Sequence, residues 1–299
     1  MPPPPQAQGR PQFLVVGHVV QDLLTPEEGG PWRLGGTVAY ASCLARRLGL
    51  RTAVFTAAAA DLPLRELLPD IESTVVPSPF ATRIRNVYSD GRRHQYMPHR
   101  AVSLTAQHLP EEWRRTPIVL LGPVAAEIDE SLAGCFAGSL VGACAQGWLR
   151  EIDADARVRP VPPARWQAEP ILRHARALFV SDEDLLLEKT PAALHKWSEL
   201  VETVAFTRGE RGAEIWHGGA WRHIDAFPAR AVELTGAGDV FAAAFLIRLG
   251  ECGDVWEATR FASCAASFVV EGEGTSAIPN REQIEVRLRE HPEIVCQPA

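Results

Sequence analysis

Residues 233–239 read Glu-Leu-Thr-Gly-Ala-Gly-Asp, and an apolar helical pattern follows them directly. Glycines permit positive φ angles and let another group approach the backbone closely. We expect the amides of Gly236, Ala237 and Gly238 to point outward at the positive end of that helix, which favours an anion such as phosphate. A carboxylate at Asp239 is suited to take a proton from a hydroxyl. A plain turn with Asp239 as a helix N-cap explains the segment equally well in isolation.

Short apolar runs alternate with helical patterns in the rest of the chain. Phe13–Val16, Thr52–Thr56 and Ile118–Leu121 predict buried strands. Helical spacing predicts a helix over Val38–Leu48, and a second one is predicted over Glu130–Leu140. This alternation predicts an α/β fold with a mostly parallel sheet covered by helices on both faces. Ligands of such sheets bind beyond the carboxyl ends of the strands.

The chain shows no repeat and no internal linker, so one main domain is predicted over 12–299. Residues 1–11 are rich in Pro, Gln and Gly and predict a flexible tail without an inferable function. A hairpin is predicted around a turn at Asp90-Gly91. The segments around 17–35 and 80–100 are expected to form a small lid.

Composition excludes several classes of protein. The 299 residues include 30 Lys and Arg against 37 Asp and Glu, and this net charge of −7 argues against binding to nucleic acid or to an anionic membrane surface. The six cysteines form no Cys-x-x-Cys pair, and the start has no signal-peptide pattern. We therefore expect a cytoplasmic protein with reduced thiols. Zinc-binding histidine spacing, a Walker loop and a serine-hydrolase elbow are all missing.

A second motif lies 200 residues before the first. Residues 34–41 read Leu-Gly-Gly-Thr-Val-Ala-Tyr-Ala, and Gly17 and Asp22 precede them. Together with 233–239, this pattern resembles the ribokinase/PfkB family of carbohydrate kinases, and the resemblance covers about 13–279. It implies a ribokinase-like three-layer α/β/α sandwich with a small β lid. It also implies transfer of the ATP γ-phosphoryl group to a hydroxyl of a sugar or polyol, a reaction for which backbone amides, a base and Mg²⁺ suffice.

The resemblance assigns a role to individual residues. Those matched to catalysis are Asp239 as the base and Gly236, Ala237 and Gly238 as the anion hole. Those matched to the acceptor are Asp22, Gly35 and Gly36. Those matched to the nucleotide are Thr207, Gly209, Gly212, Thr235 and Ala265. Asp184 takes the place of a family carboxylate near Mg²⁺, through a bound water. A glycine-rich turn at 207–213, core packing at Ala265 and an acidic helix start at Asp184 are the alternatives.

The chain departs from the family pattern in places. Tyr40 stands where many sugar kinases have an Asn that contacts the acceptor. Glu233-Leu234 replaces the usual Asp-Thr, which weakens the case for a monovalent-cation site. A weaker resemblance to the branch of plant inositol-kinase-like proteins adds polar candidates for the acceptor pocket: Asn86, Arg93 and Gln146, with Arg150. Each of them is also explained as ordinary surface or sheet-edge polarity.

Other functions remain open. A nucleoside kinase would need an aromatic platform for a base, and Phe80, Tyr88 or Tyr96 are candidates for it. A non-catalytic relative would bind a sugar or a nucleotide without transferring phosphate. ADP in place of ATP as donor is a third alternative. We also predict a possible homodimer that pairs through the lid.

Overall fold

The computed structural model describes residues 9–25, 29–89, 92–185 and 190–299. Most of the predicted tail and the turn at Asp90-Gly91 lie outside these ranges. For four strand residues only the backbone is described: Tyr88, Ser89, Arg92 and Arg93.

The described residues contain sixteen strands. They are β1 Phe13–Val16, β2 Val20–Leu23, β3 Trp32–Gly35, β4 Thr52–Ala58, β5 Glu72–Pro77, β6 Thr82–Ser89, β7 Arg92–His99, β8 Ile118–Leu121, β9 Leu140–Cys144, β10 Arg150–Ile152, β11 Val158–Pro160, β12 Ala177–Ser181, β13 Thr203–Thr207, β14 Ala213–His217, β15 Ala220–Ile224 and β16 Gln297–Pro298. Ten of them form one sheet in the order β16-β15-β14-β13-β12-β9-β8-β1-β4-β5. The pairs from β13 to β5 are parallel, and the remaining edge is antiparallel.

Eight α-helices accompany these strands in the described ranges. They are α1 Gly36–Arg47, α2 Leu64–Leu67, α3 Glu130–Ala133, α4 Glu169–Leu172, α5 Thr190–Ser198, α6 Ala237–Cys252, α7 Val255–Val269 and α8 Arg281–Glu290. The helix predicted over Glu130–Leu140 is wrong in its length, because α3 ends at Ala133. Gly138 adopts a φ of +88°, which cannot continue a right-handed helix. None of the described helices is long and apolar enough to cross a membrane.

The main sheet is covered on both faces, as the alternating pattern predicts. Along β1, Phe13 and Val15 belong to a core shared with α1, α6 and α7, whereas Leu14 and Val16 belong to a second core on the other side. Successive side chains of a strand point to opposite faces, so these two cores are the two interfaces of a three-layer sandwich. The predicted α/β/α fold class is confirmed.

A separate four-stranded sheet has the order β3-β2-β6-β7. Val20, Ile84 and Met97 pack on one face of it, against Val124 and Ala125 of the main body. This sheet uses the segments in which the lid is predicted, and its action as a lid remains a prediction.

Candidate active site

The predicted site residues gather at one edge of the main sheet. The parallel strands β1, β8, β9, β12 and β13 all end there, so the segments after Val16, Leu121, Cys144, Ser181 and Thr207 lie side by side. Ligand sites of parallel sheets lie at this edge, as we expect from the sequence.

Helix α6 begins at this edge without a side-chain cap. Gly236 is its N-cap, with a φ of +87°, and the first helical hydrogen bond runs from the Val240 amide to the Gly236 carbonyl at 2.9 Å. The amides of Gly236, Ala237 and Gly238, predicted as the anion hole, and that of Asp239 have no hydrogen-bond partner among the described residues. The first amides of a helix carry a partial positive charge, so this end can receive an anion.

The two glycines of this turn have different surroundings. A Cβ atom on Gly236 would lie 2.2 Å from Cδ1 of Tyr40, so only glycine fits both its φ angle and its contact. A Cβ atom on Gly238 would meet no atom within 4 Å. Gly236 is therefore required by packing, whereas Gly238 faces open space at the helix end.

Asp239 lies in the first turn of α6, and its Oδ1 accepts a hydrogen bond from the Thr37 hydroxyl at 2.6 Å. Burial raises the pKa of the Asp239 carboxyl to about 6, against the lowering effect of the Thr37 bond. Among nearby charges, Asp184 raises this pKa further and Arg150 lowers it. The residue keeps partial access to solvent. A carboxyl of this kind can both meet a ligand and exchange a proton near neutral pH.

The acceptor motif comes to this point from the small sheet. A Cβ atom on Gly35 would lie 2.0 Å from Oδ2 of Asp22, and one on Gly36 would lie 2.8 Å from Cγ2 of Val20. Gly36 also has a φ of +80°. The glycine pair thus allows the close approach of β2 to the start of α1, which brings the Asp22 carboxylate to the site.

Tyr40 lies between the acceptor motif around Asp22 and the start of α6. Its side chain is completely buried, and its hydroxyl has no hydrogen-bond partner among the residues that the structure describes. Burial raises the pKa of this hydroxyl, and three carboxylates raise it further: Glu233, Asp22 and Asp239. The structure therefore brings the predicted acceptor contact Tyr40 to Asp22 and Asp239, with its ring packed on Gly236.

Asp184 lies beside this site in a set of satisfied contacts. Its Oδ2 accepts the Ser181 amide at 3.1 Å, its Oδ1 lies 3.7 Å from the Arg150 guanidinium, and Gln146 donates a further hydrogen bond. Burial raises the pKa of its carboxyl, and Arg150 opposes this effect. Gln146, predicted as an acceptor contact, thus bonds Asp184. The described residues include no cluster of three side chains that could hold a metal ion, and the engaged Asp184 carboxylate does not fit a direct Mg²⁺ ligand.

The remaining candidates lie farther apart. Asn86 accepts a hydrogen bond from Gln95 at 2.9 Å on the small sheet. Arg93 lies in β7, and its side chain is outside the described part. Thr235 is half-buried just before Gly236, whereas Ala265 is fully buried in the core around α7.

The segment 207–213 forms a tight turn between β13 and β14. The Arg208 amide donates to the Gly212 carbonyl at 2.8 Å, and the Gly212 amide donates to the Gly209 carbonyl at 3.0 Å. A Cβ atom on Gly212 would lie 1.9 Å from the Ile224 carbonyl oxygen. Thr207 pairs with Ser181 across the strands, so this turn adjoins the Asp184 segment. Its binding of a nucleotide remains a prediction.

Sequence reasoning missed three contacts of the site. The sequence predicts no separate role for Thr37, although its hydroxyl donates a hydrogen bond to Asp239. Arg150 was assigned to the acceptor rather than to Asp184. Glu233 forms an ion pair with Arg33 of β3 and accepts the Gly274 amide at 3.0 Å. No spacing in the sequence signals these pairs, because the partners lie 34 to 202 residues apart.

Comparison with known proteins finds related kinases. The family model described as pfkB family carbohydrate kinase matches residues 149–282. A nucleoside kinase of Methanothermobacter thermautotrophicus is 28% identical over 292 residues, covering 88% of this chain and 90% of that protein. A ribokinase structure from Thermotoga maritima has a TM-score of 0.71 at 22% identity, over 93% of this chain and 99% of that one. A pyrophosphate-dependent kinase of the ribokinase family, solved with a pyrophosphate analogue and myo-inositol, has a TM-score of 0.75 at 22% identity, over 91% and 99%.

Residues 149–282 match the pfkB family of carbohydrate kinases, and the homologues of the chain include proteins named nucleoside kinase and ribokinase. The chain is therefore a kinase, with the sugar or nucleoside kinase function of the ribokinase family.

Proposed function

We propose that the protein transfers the γ-phosphoryl group of ATP to a hydroxyl of a small sugar or polyol, with Asp239 as the general base. One observation carries the proposal: a carboxyl with a pKa of about 6 lies in the first turn of α6, beside amides that have no partner in the described part of the chain. A base and an anion-binding helix end are thus joined in one turn of the chain. Phosphoryl transfer requires mainly this combination of positioning and charge stabilisation.

The transfer can be written with every bond accounted for. The acceptor O–H bond breaks and its proton goes to Oδ2 of Asp239, which has no hydrogen-bond partner among the described residues. The acceptor oxygen bonds to the γ-phosphorus, and the bond from this phosphorus to the bridging oxygen breaks. The electron pair of that bond leaves with ADP. The amides of Gly236, Ala237 and Gly238, together with that of Asp239, stabilise the negative charge on the transferring group.

The small sheet favours a polyhydroxylated acceptor. Asn86 and Gln95 lie two residues from Ile84 and Met97 on their strands, so they share the face that packs on the main body. Together with Asp22 they offer carboxylate and amide groups that can bind hydroxyls.

Two of the aromatic candidates for a nucleobase platform, Tyr96 and Phe80, contact other side chains. The ring of Tyr96 lies under the Arg85 guanidinium at 5.2 Å, and Phe80 stacks on His99 at 4.6 Å between ring centroids. Tyr88 lies outside the described side chains. This placement supports a sugar or polyol over a nucleoside, which we keep as the second candidate because a nucleoside kinase aligns with 88% of the chain.

The proposal also covers the metal ion, the phosphate donor and the cellular location. Mg²⁺ would enter as the counter-ion of the donor phosphates, and we assign no direct ligand to it, because the Asp184 carboxylate is already engaged. Pyrophosphate and ADP are the alternative donors, the first because a pyrophosphate-dependent kinase shares the fold. The proposal includes a cytoplasmic location, where ATP is available.

The test is a screen of three donors against four classes of acceptor. ATP, ADP and pyrophosphate would each be combined with inositols, hexoses, ribose and adenosine, and phosphorylated product would be measured directly. We expect turnover with ATP and a sugar or polyol, and a loss of about 10²–10⁴-fold in Asp239→Asn with a melting temperature no lower than that of the wild type. Full activity in this variant would refute Asp239 as the base. Acceptor binding in a thermal-shift assay without any turnover would favour the non-catalytic alternative.

A further inference from the structure

We infer that Thr37 is a positioning residue for the base: its hydroxyl occupies Oδ1 of Asp239 and leaves Oδ2 to receive the acceptor proton. This inference rests on the proposed role of Asp239. It concerns a residue that belongs to the acceptor motif in sequence but contacts the base rather than the acceptor.

The hydrogen bond is short and well enclosed. Thr37 Oγ1 lies 2.6 Å from Asp239 Oδ1, across 202 residues of chain, and Thr37 is only 1% exposed. An ionised carboxylate can only accept, so the hydroxyl donates. With Oδ1 engaged in this way, the carboxylate cannot rotate without losing a charge-assisted bond.

Packing determines where the hydroxyl points. A Cβ atom on Gly122 would lie 2.2 Å from Cγ2 of Thr37, so the Thr37 methyl rests directly on this glycine. Gly122 is itself held by a hydrogen bond from its amide to the Val16 carbonyl at 2.8 Å. A β-branched side chain has few χ1 choices, and placing its methyl therefore places its hydroxyl. The carboxyl ends of β1 and β8 thus orient the donor that holds Asp239.

The other charged groups around Asp239 do not duplicate this effect. Asp184 disfavours the carboxylate and Arg150 favours it, and these two charges also face each other at 3.7 Å. The Cys144 thiol and the Tyr40 hydroxyl lie near as well, and burial raises the pKa of both, so neither changes charge near pH 6. Thr37 is the hydrogen-bond donor to the Asp239 carboxylate among the described side chains. Its loss should therefore make the carboxylate harder to ionise.

The experiment compares pH profiles of kcat/KM for the acceptor. Thr37→Val keeps the shape but removes the hydroxyl, Thr37→Ala removes both, and Thr37→Ser keeps the hydroxyl. We expect the acidic limb to move up by about one pH unit in the Val and Ala variants, because a hydrogen bond to a charged group contributes about that much. The Ser variant should keep the wild-type limb. At pH 7, this shift lowers the ionised fraction of Asp239 from about nine-tenths to about one half, so kcat should fall about twofold in the Val variant, with little change in the KM for ATP.

Controls separate this inference from the proposed function. Thr259→Val removes a buried hydroxyl that bonds only the Val255 carbonyl within α7, and it should leave the limb unchanged. Melting temperatures identify a variant that fails to fold, and either of the two hydroxyl-free variants suffices. A wild-type limb in a folded hydroxyl-free variant overturns the role of Thr37 while Asp239→Asn stays inactive. Full activity of Asp239→Asn instead overturns the base assignment itself.

Discussion

Two glycine-rich segments of this chain look alike in sequence and differ in structure. The segment 207–213 closes on itself, because the amides of Arg208, Arg211 and Gly212 donate to carbonyls of the same turn. Its two arginines pair with carboxylates, Arg208 with Glu214 and Arg211 with Asp182. The segment 233–239 instead leaves the amides of 236–239, at the start of α6, without partners within the described ranges.

The two segments differ in whether their backbone amides have hydrogen-bond partners in the described part of the chain. Gly212 is needed because its Cα faces the Ile224 carbonyl, which is a requirement of the fold. Gly238 meets no such constraint, and a methyl group there would enter only the open space before the helix. A glycine that the fold does not need, beside amides without partners, is the stronger indication of a ligand site.

The largest effect that should separate the two segments comes from Gly238→Ala. Side chains of a helix tilt toward its N-terminus, so the new methyl would point to the place that we assign to the phosphoryl group. We expect kcat to fall by about 10²-fold, comparable to the loss of one anion-hole donor. The free energy of unfolding should stay the same or rise by about 0.5–1 kcal/mol, because alanine suits a helix better than glycine. Steady-state kinetics and urea unfolding measure the two quantities.

Gly209→Ala is the matched control in the other segment. A Cβ atom there also meets nothing within 4 Å, but Gly209 has a φ of +57°. We expect a stability loss of about 1 kcal/mol from the left-handed backbone and a change in kcat of less than about threefold. Equal loss of kcat in both variants would contradict the distinction between the segments.

The second effect should appear in stability rather than in catalysis. Gly212→Ala would place a methyl 1.9 Å from the Ile224 carbonyl at a φ of +76°, so the turn must shift. We expect the free energy of unfolding to fall by about 3 kcal/mol. Urea titration followed by tryptophan fluorescence measures the loss. Wild-type stability in this variant would show that the turn accommodates the added methyl group without cost.

The fold could be predicted from the sequence because its signals are local. Buried strands such as Ile118–Leu121 and helices such as Val255–Val269 appear as apolar runs and periodic patterns, and these set the class. The error at Glu130–Leu140 has a local cause too. Two glycines, Gly134 and Gly138, lie inside the periodic stretch, and the second adopts a left-handed conformation that ends the helical path.

The site could be predicted only in part. Asp239 and Asp22 are predicted from the sequence because both belong to the two family motifs. The bond from Thr37 to Asp239 and the pair of Arg150 with Asp184 depend on how distant strand ends meet, and a hydroxyl next to a glycine pair carries no sign of its partner. The burial of Tyr40 was also not predictable, because a tyrosine in the first turns of a helix is compatible with solvent as well as with a core.

The smallest effect that should distinguish 233–239 is a dependence of stability on pH, since only this segment contains a carboxyl whose pKa is raised to about 6. The unfolded chain ionises this group near pH 4. Between about pH 4 and 6 the folded state therefore binds more protons than the unfolded state, and stability falls as the pH rises through this window. Asp239→Asn removes that loss. We expect the variant to match the wild type near pH 4 and to exceed its free energy of unfolding by about 1–2 kcal/mol at pH 8, with solvent access reducing the full value. Urea titrations of both proteins at the two pH values measure this difference. A constant offset between them would mean that Asp239 ionises normally in the folded protein and that its burial does not prepare it to accept a proton.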